Sequence, residues 1–336
     1  MNAIQSEPSR LTQLRAALST RLYASGVSFA RRWSVPLDAA ETRTLRRRRD
    51  GAYALHLAYM SRPSLRRALR QVEREDWRML PLFLARAPLD IWRVRQGDAP
   101  PVKPNDNFPY PDYYLHAFHH QLNGNLSRAA ARTYEWQIRW LFFGTNRLMR
   151  QAVVDLLPRG DDLEVLDVGC GTAAWLPLAR LQGRHHAVTG VDLSPDYLAV
   201  ARDRQTANAQ FAQHNAEELP LHWRGRFDQV VSIWLLHELP PAARERVVAE
   251  MARVLKPGGT LLLMDAAQPT DAPEISDGQR LGVAFAETFR EPYFLSYQDL
   301  DLAALLGRHG LAVAQVQICY ASRIMVCHHA LPEAAA

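Results

Sequence analysis

Of the 40 Lys and Arg residues in this chain of 336, only Lys103 and Lys256 are lysines. A surface that tracks phosphates interleaves lysines with aromatics and glycines, and that pattern is absent, so no nucleic-acid partner is expected. Cysteine is nearly as scarce. Cys170, Cys319 and Cys327 have neither C-x-x-C spacing nor the density of a disulfide framework, which reads as a reduced, cytoplasmic protein with no metal site of the thiolate kind. No apolar run reaches 18 residues, so no membrane span is expected. Acid is missing from the start of the chain: in the first 35 residues Glu7 alone faces Arg10, Arg15, Arg21, Arg31 and Arg32. A transit peptide has such a composition. Leu11, Leu14, Leu18 and Leu22, spaced by three and four, fit instead an amphipathic helix of the mature protein.

What is present suits a packed globule, with 48% hydrophobic and 9% aromatic residues. The charge is uneven. Residues 1–100 hold 19 Arg against 9 acids, about +10, leaving about −5 for the rest. The arginine excess has the look of a GC-rich coding preference, and the run at 46–49 that of a solvated face.

Helical spacing dominates residues 8–95, with breaks predicted at Pro81 and Pro88. Five prolines in "GDAPPVKPNDNFPYPDYY" (97–114) mark an extended arm. Ser127 is placed to cap a helix over "RAAARTYEWQIRWLFF", Gly144 to end it, and Thr145 to cap the next. From residue 163 short apolar runs (163–168, 187–191, 209–213, 228–233, 259–265) alternate with helical stretches, as βαβ units do. Two strand-like runs at the end predict a hairpin. The expected organisation is a helical region over 1–96, an arm and lid over 97–144, and an α/β domain over 145–332.

The sequence "EVLDVGCGTAAW" (164–175) runs a buried strand into a glycine turn and a helix. Gly169 and Gly171 allow close backbone approach to a ligand. G-x-G-x-x-A also fits a dinucleotide fold. Asp167 at the strand end discriminates, because a carboxylate suits a cationic amino group and not a pyrophosphate. Asp192, closing the second strand in "VTGVDLSPDYL", can accept two ribose hydroxyls.

These motifs resemble those of the class I S-adenosylmethionine-dependent methyltransferases, nearest to the small-molecule, ubiquinone/menaquinone-biosynthesis-like branch, over residues 150–330. "LDVGCGT" resembles the first motif, with Thr172 at its end, and "GVDLSPDYL" the second, with Asp192 and Leu193. "FAQHNAEELP" occupies the adenine-contacting place with Asn215 and Ala216, where the branch more often has Asp. "FDQVVSIWLLHELP" resembles the fourth strand and its floor, and "VLKPGGTLLLMD" the turn into the fifth. The resemblance implies a Rossmann-like, seven-stranded, mostly parallel sheet with a C-terminal antiparallel hairpin. It implies S-adenosyl-L-methionine as cofactor and a small-molecule acceptor as partner. The N-terminal helices would then gate the substrate or form a homodimer contact.

Methyl transfer from a sulfonium needs alignment in a pocket shielded from water, and an oxygen nucleophile usually needs a base. The side chains just beyond strand four nominate Trp234 for the donor and His237 or Glu238 for proton transfer; His237 can equally shape the floor. There is no Asn/Asp-Pro-Pro-aromatic box and no Pro-Cys nucleophile, against amino-group methylation of bases and covalent cytosine chemistry. Cys170 is read as a packing residue. In "YYLHAFHHQLNGNLS" a helix would set His116, His119 and His120 on neighbouring faces. They can be a metal pair, a base (His119, His120) or pocket lining (His116), beside Tyr113, Tyr114 and Phe118 as aromatic walls. No metal is assigned. The 266–300 stretch reads as a cap over the acceptor site, with Phe285, Phe289, Tyr293, Phe294 and Tyr297. Two rival readings keep the donor site: a non-methylating rearrangement or decarboxylation, and a catalytically silent regulatory subunit.

Overall fold

The computed structural model describes residues 9–32, 39–63, 65–67, 69–70, 77–96, 102–104, 106–204, 206–271, 285–287 and 289–329. Seven strands form one sheet: β1 (Glu164–Val168), β2 (Ala187–Asp192), β3 (Ala209–Gln213), β4 (Phe227–Ile233), β5 (Leu255–Ala266), β6 (Leu311–Cys319) and β7 (Ser322–His329). Their spatial order is β3-β2-β1-β4-β5-β7-β6. The first five run parallel, while β7 pairs antiparallel with both β5 and β6. The apolar runs predict these strands well because the central ones are covered on both faces. Val165, Leu166 and Val168 of β1 and Leu261, Leu262 and Leu263 of β5 are buried in two layers. The Pro257-Gly258-Gly259 turn lies inside β5 as an irregularity: Leu255 pairs with Phe227, and Thr260 then with Gln229.

The helices are α1 (Arg10–Arg32), α2 (Ala39–Ser61), α3 (Leu80–Arg95), α4 (Arg128–Leu141), α5 (Asn146–Leu156), α6 (Leu176–Arg180), α7 (Pro195–Asp203), α8 (Pro241–Val254), α9 (Phe294–Gln298) and α10 (Leu302–Arg308). Some helix starts follow from side chains, as Asp301 shows by accepting from Ala304 N–H at the start of α10. Ser127 accepts from Ala130 N–H to cap α4, and Ser194 accepts from Tyr197 N–H to cap α7. The expected cap at Thr145 does not form, because its hydroxyl donates to Phe142 O at 2.7 Å instead. The expected break near Pro81 is present, as a turn at residues 78–79, whereas the one at Pro88 is absent. α3 starts at Leu80, so Pro81 falls in a first turn whose N–H groups need no partner, and Pro88 sits inside the helix.

α1 is amphipathic as expected, yet its apolar stripe faces outward. Thr12, Ala16 and Thr20 are buried, whereas Leu11, Leu14, Leu18 and Leu22 are 59%, 66%, 58% and 46% exposed. Each such leucine forgoes part of the ~1.5–3 kcal/mol that full burial contributes.

A buried ion pair couples the α4–α5 layer to the α/β sheet. Arg150 of α5 donates to both carboxylate oxygens of Glu135 on α4, at 2.6 and 3.2 Å. Glu135 also accepts the Thr172 hydroxyl from the glycine loop at 2.7 Å.

Candidate functional site

A cavity opens at the carboxyl ends of β1, β2 and β4, the crevice that open parallel sheets offer to ligands. One side is the glycine loop. Gly169 has φ +68°, and a Cβ there would meet the Leu235 side chain at 3.0 Å. Across it lies Asp192, whose two oxygens accept Gly171 N–H and Ser194 N–H, both at 2.8 Å. These bonds fix the carboxylate in the cavity wall with lone pairs to spare. Leu193, Asn215 and Ala216 continue the wall, and Trp234, Leu235 and Glu238 form the floor. A carboxylate for paired hydroxyls, an amide beside apolar faces and a glycine cradle together fit a nucleoside.

Asp167 and Thr172 stand behind the loop, outside the cavity lining. The Asp167 carboxylate accepts the Trp175 indole N–H at 2.7 Å, and burial pushes its pKa up to about 7 against that hydrogen bond. Thr172 turns to Glu135. Trp234 takes a left-handed backbone, φ +57°, immediately after β4. Its ring stacks on Phe142 at 5.4 Å and lies 5.1 Å from the Arg150 guanidinium.

The segment over the cavity is not a helix, so His116, His119 and His120 do not share neighbouring helix faces. It forms two 3₁₀ turns, Asp112–Tyr114 and Phe118–His120, and His119 and His120 both take left-handed backbones, φ +53° and +59°. Two such non-glycine residues in succession store strain. The following Asn-Gly turn folds back against the segment. Gly124, φ +51°, packs so closely that a Cβ would come 2.2 Å from the carbonyl oxygen of His116. The three histidines therefore part: His116 is exposed, His120 is buried outside the cavity lining, and His119 reaches the floor. Tyr113, Tyr114 and Phe118 line the cavity. The segment is pinned to the core by polar bonds: Tyr113 OH donates to Glu217 at 2.6 Å, and Ser194 Oγ to Asn125 O at 2.6 Å.

Beneath the floor, five ionisable side chains converge. His119 Nε2 is 3.0 Å from Glu291 Oε1 and 3.7 Å from Glu238 Oε1. His237 Nδ1 is 2.6 Å from Asp265 Oδ1, and its Nε2 is 3.5 Å from Glu291 Oε2. Asp265, at the end of β5, also accepts Leu236 N–H at 2.7 Å and so holds the 236–238 turn in place. Burial opposes charge on His237, but the carboxylates of Asp265 and Glu291 outweigh it and push its pKa up to about 10. A charged imidazolium has no lone pair to accept a proton, which argues against His237 as the base. His119 is raised in the same way, its burial outweighed by Glu291 and Glu238. Glu238 is raised mainly by burial, against the two histidines. It alone of the five lines the cavity.

Glu291 and Asp265 are the two of the five that sequence reasoning missed. For Asp265 the signal was an acid at the end of an apolar strand, and Glu291 gave less. It is 3% exposed and comes from the expected cap, between Phe289 and Tyr293. Its only signal was a lone acid among aromatics in "TFREPYF". Of the cap aromatics, Tyr293 stands edge-on to Tyr113 at 6.3 Å, and Phe285 packs on Phe289 and Phe294. Neither Phe289 nor Tyr293 lines the cavity. Residues 272–284 of that cap lie outside the described residues.

Residues 165–259 match the model of a methyltransferase domain. The chain is 38% identical over 125 residues to the demethylmenaquinone methyltransferase of Listeria monocytogenes, covering 36% of this chain and 52% of that one. It is 32% identical over 133 residues to the demethylmenaquinone methyltransferase of Bacillus cereus, covering 38% and 55%. The chain thus spans about half the length of these curated relatives. A solved SAM-dependent methyltransferase from Aquifex aeolicus is similar at 18% identity and a TM-score of 0.40, over 55% of this chain and 92% of that one. Residues 165–259, set in a sheet of order β3-β2-β1-β4-β5-β7-β6, are thus similar to a methyltransferase domain.

Proposed function

We propose that the protein transfers a methyl group from S-adenosylmethionine to a small, largely apolar acceptor whose nucleophile must lose a proton. One observation carries this reading. A single cavity joins a nucleoside-fitting wall, at Gly169, Gly171, Asp192, Asn215 and Ala216, to the Glu238 carboxylate, which His119 approaches from beneath.

Bound there, S-adenosylmethionine supplies an electrophilic methyl group. Asp192 takes the ribose hydroxyls, and Asn215 with the Ala216 backbone takes the adenine. Asp167 acts from behind the glycine loop. Tyr113, Tyr114, Phe118 and Trp234 exclude water and orient the acceptor. Glu238 is the general base: burial moves its carboxyl toward the pH at which a base works best, and it faces the cavity. His237, fixed by Asp265, faces Glu291 beneath the floor and holds it in place. His119 Nε2 faces both Glu238 and Glu291 and so positions the base against the buried carboxylate. This arrangement favours a hydroxyl or an acidic carbon over an amine, which needs only positioning. The demethylmenaquinone methyltransferases similar to this chain suggest a quinone-related acceptor.

Isothermal titration with S-adenosylmethionine and S-adenosylhomocysteine tests the donor site, and binding of neither sinks the reading. Labelled donor incubated with a metabolite extract then tests transfer. A labelled product supports it, whereas altered metabolites without label point to a donor that is bound but not consumed.

A further inference from the structure

The outward leucines of α1 have a border. At about 100° per residue, Leu11, Leu14, Leu18 and Leu22 fall within an arc of roughly 80°, with Arg10 and Arg21 along one edge and Arg15 along the other. These leucines and arginines are all exposed, and α1 contains no acidic residue. The buried Thr12, Ala16 and Thr20 lie on the opposite face. Next to the helix, Ser19 Oγ donates to the Phe143 carbonyl at 3.2 Å, and there Phe143 and Trp140 are 40% and 73% exposed.

We infer that this face docks on an anionic lipid surface, with α1 lying in the plane of the interface. A leucine stripe bordered by arginines is the pattern of an interfacial helix: the leucines enter the acyl boundary while the guanidinium groups reach phosphate. Trp140 and Phe143 add the aromatic contribution that such interfaces favour.

Charge decides against a second copy of the chain. Two α1 helices face to face would oppose Arg10, Arg15 and Arg21 to their own kind, with no acid on either helix to pair them. The leucine spacing of three, four and four also drifts off a heptad seam, and the next inward slot, residue 21, is an arginine. The surface adjoins the cavity. Phe143 follows Phe142, which stacks on the floor residue Trp234, and α4 carries both Trp140 and the cavity-lining Tyr134. The inference does not depend on methyl transfer.

Flotation of the full chain with vesicles tests it. Binding is expected to phosphatidylcholine mixed with phosphatidylglycerol, not to phosphatidylcholine alone, and to fade at high salt. Arg15→Gln and Arg21→Gln should each weaken it about fivefold. Leu14→Ser with Leu18→Ser should abolish it while thermal unfolding stays unchanged, since both positions are exposed. No binding to the mixed vesicles, equal binding to both kinds, or binding unaffected by the double substitution overturns the inference. So does sedimentation showing a dimer that the leucine substitutions dissociate.

Discussion

At the scale of single residues, the cavity divides into a part that holds and a part that moves protons. Asp192→Ala should weaken S-adenosylhomocysteine binding by about 1–3 kcal/mol, read by calorimetry, because ligand hydroxyls lose their acceptor. Glu238→Gln should lower kcat by about 10²–10⁴-fold, leaving affinity for the same ligand nearly unchanged. An unaltered kcat would remove Glu238 as base. The charge on His237 has its own signature. Its pKa in the folded chain, about 10, lies above the ordinary 6.5, so the stabilisation it provides is complete below pH 6.5 and drains away as pH rises through about 10. Chemical unfolding of the wild type and of His237→Asn across that window should converge at the alkaline end. Parallel curves would show that His237 is not held charged.

Individual elements differ in how openly their sequence announced them. The strands were legible because burial on both faces demands unbroken apolar runs. His116–His120 form short turns and not a helix, and Gly124 permits the close approach to the His116 carbonyl that this path needs. Gly124→Ala should therefore disorder the segment over the cavity. Limited proteolysis between residues 110 and 126 is expected to accelerate, while the sheet keeps its far-ultraviolet dichroism. For α1 the periodicity revealed a stripe without revealing its direction, since spacing alone cannot say which face meets the protein. Composition held the missing hint, in arginines bordering leucines with no acid nearby. Pro88 misled because a single lost hydrogen bond is tolerable inside a longer helix.

The molecule as a whole explains why half of the candidate site was legible and half was not. Asp192 closes a strand and Gly169, Gly171, Asn215 and Glu238 lie within a few residues after one, so local order in the chain carries them to one edge of the sheet. Glu291, 53 positions after Glu238 in the sequence, reaches the site only by tertiary packing, and no local pattern encodes such an approach. The same holds for the buried Arg150–Glu135 pair, which joins the helices before the sheet to the glycine loop through Thr172. Glu135→Ala should cost about 3–5 kcal/mol in urea unfolding. It should also weaken donor binding, though Glu135 is absent from the cavity lining. Loss of stability with donor affinity intact would show that the pair only props the helices.

The floor indole offers an optical consequence. Trp234 lies between Phe142 and the Arg150 guanidinium, its N–H donating to Ser322 Oγ at 2.9 Å. A fluorophore beside a fixed cation, with one edge on an open cavity, changes colour and yield when its surroundings dry. The protein carries a built-in emission probe for occupancy, and stopped-flow traces of Trp234, compared with Trp234→Phe, can time the filling of the cavity without any label.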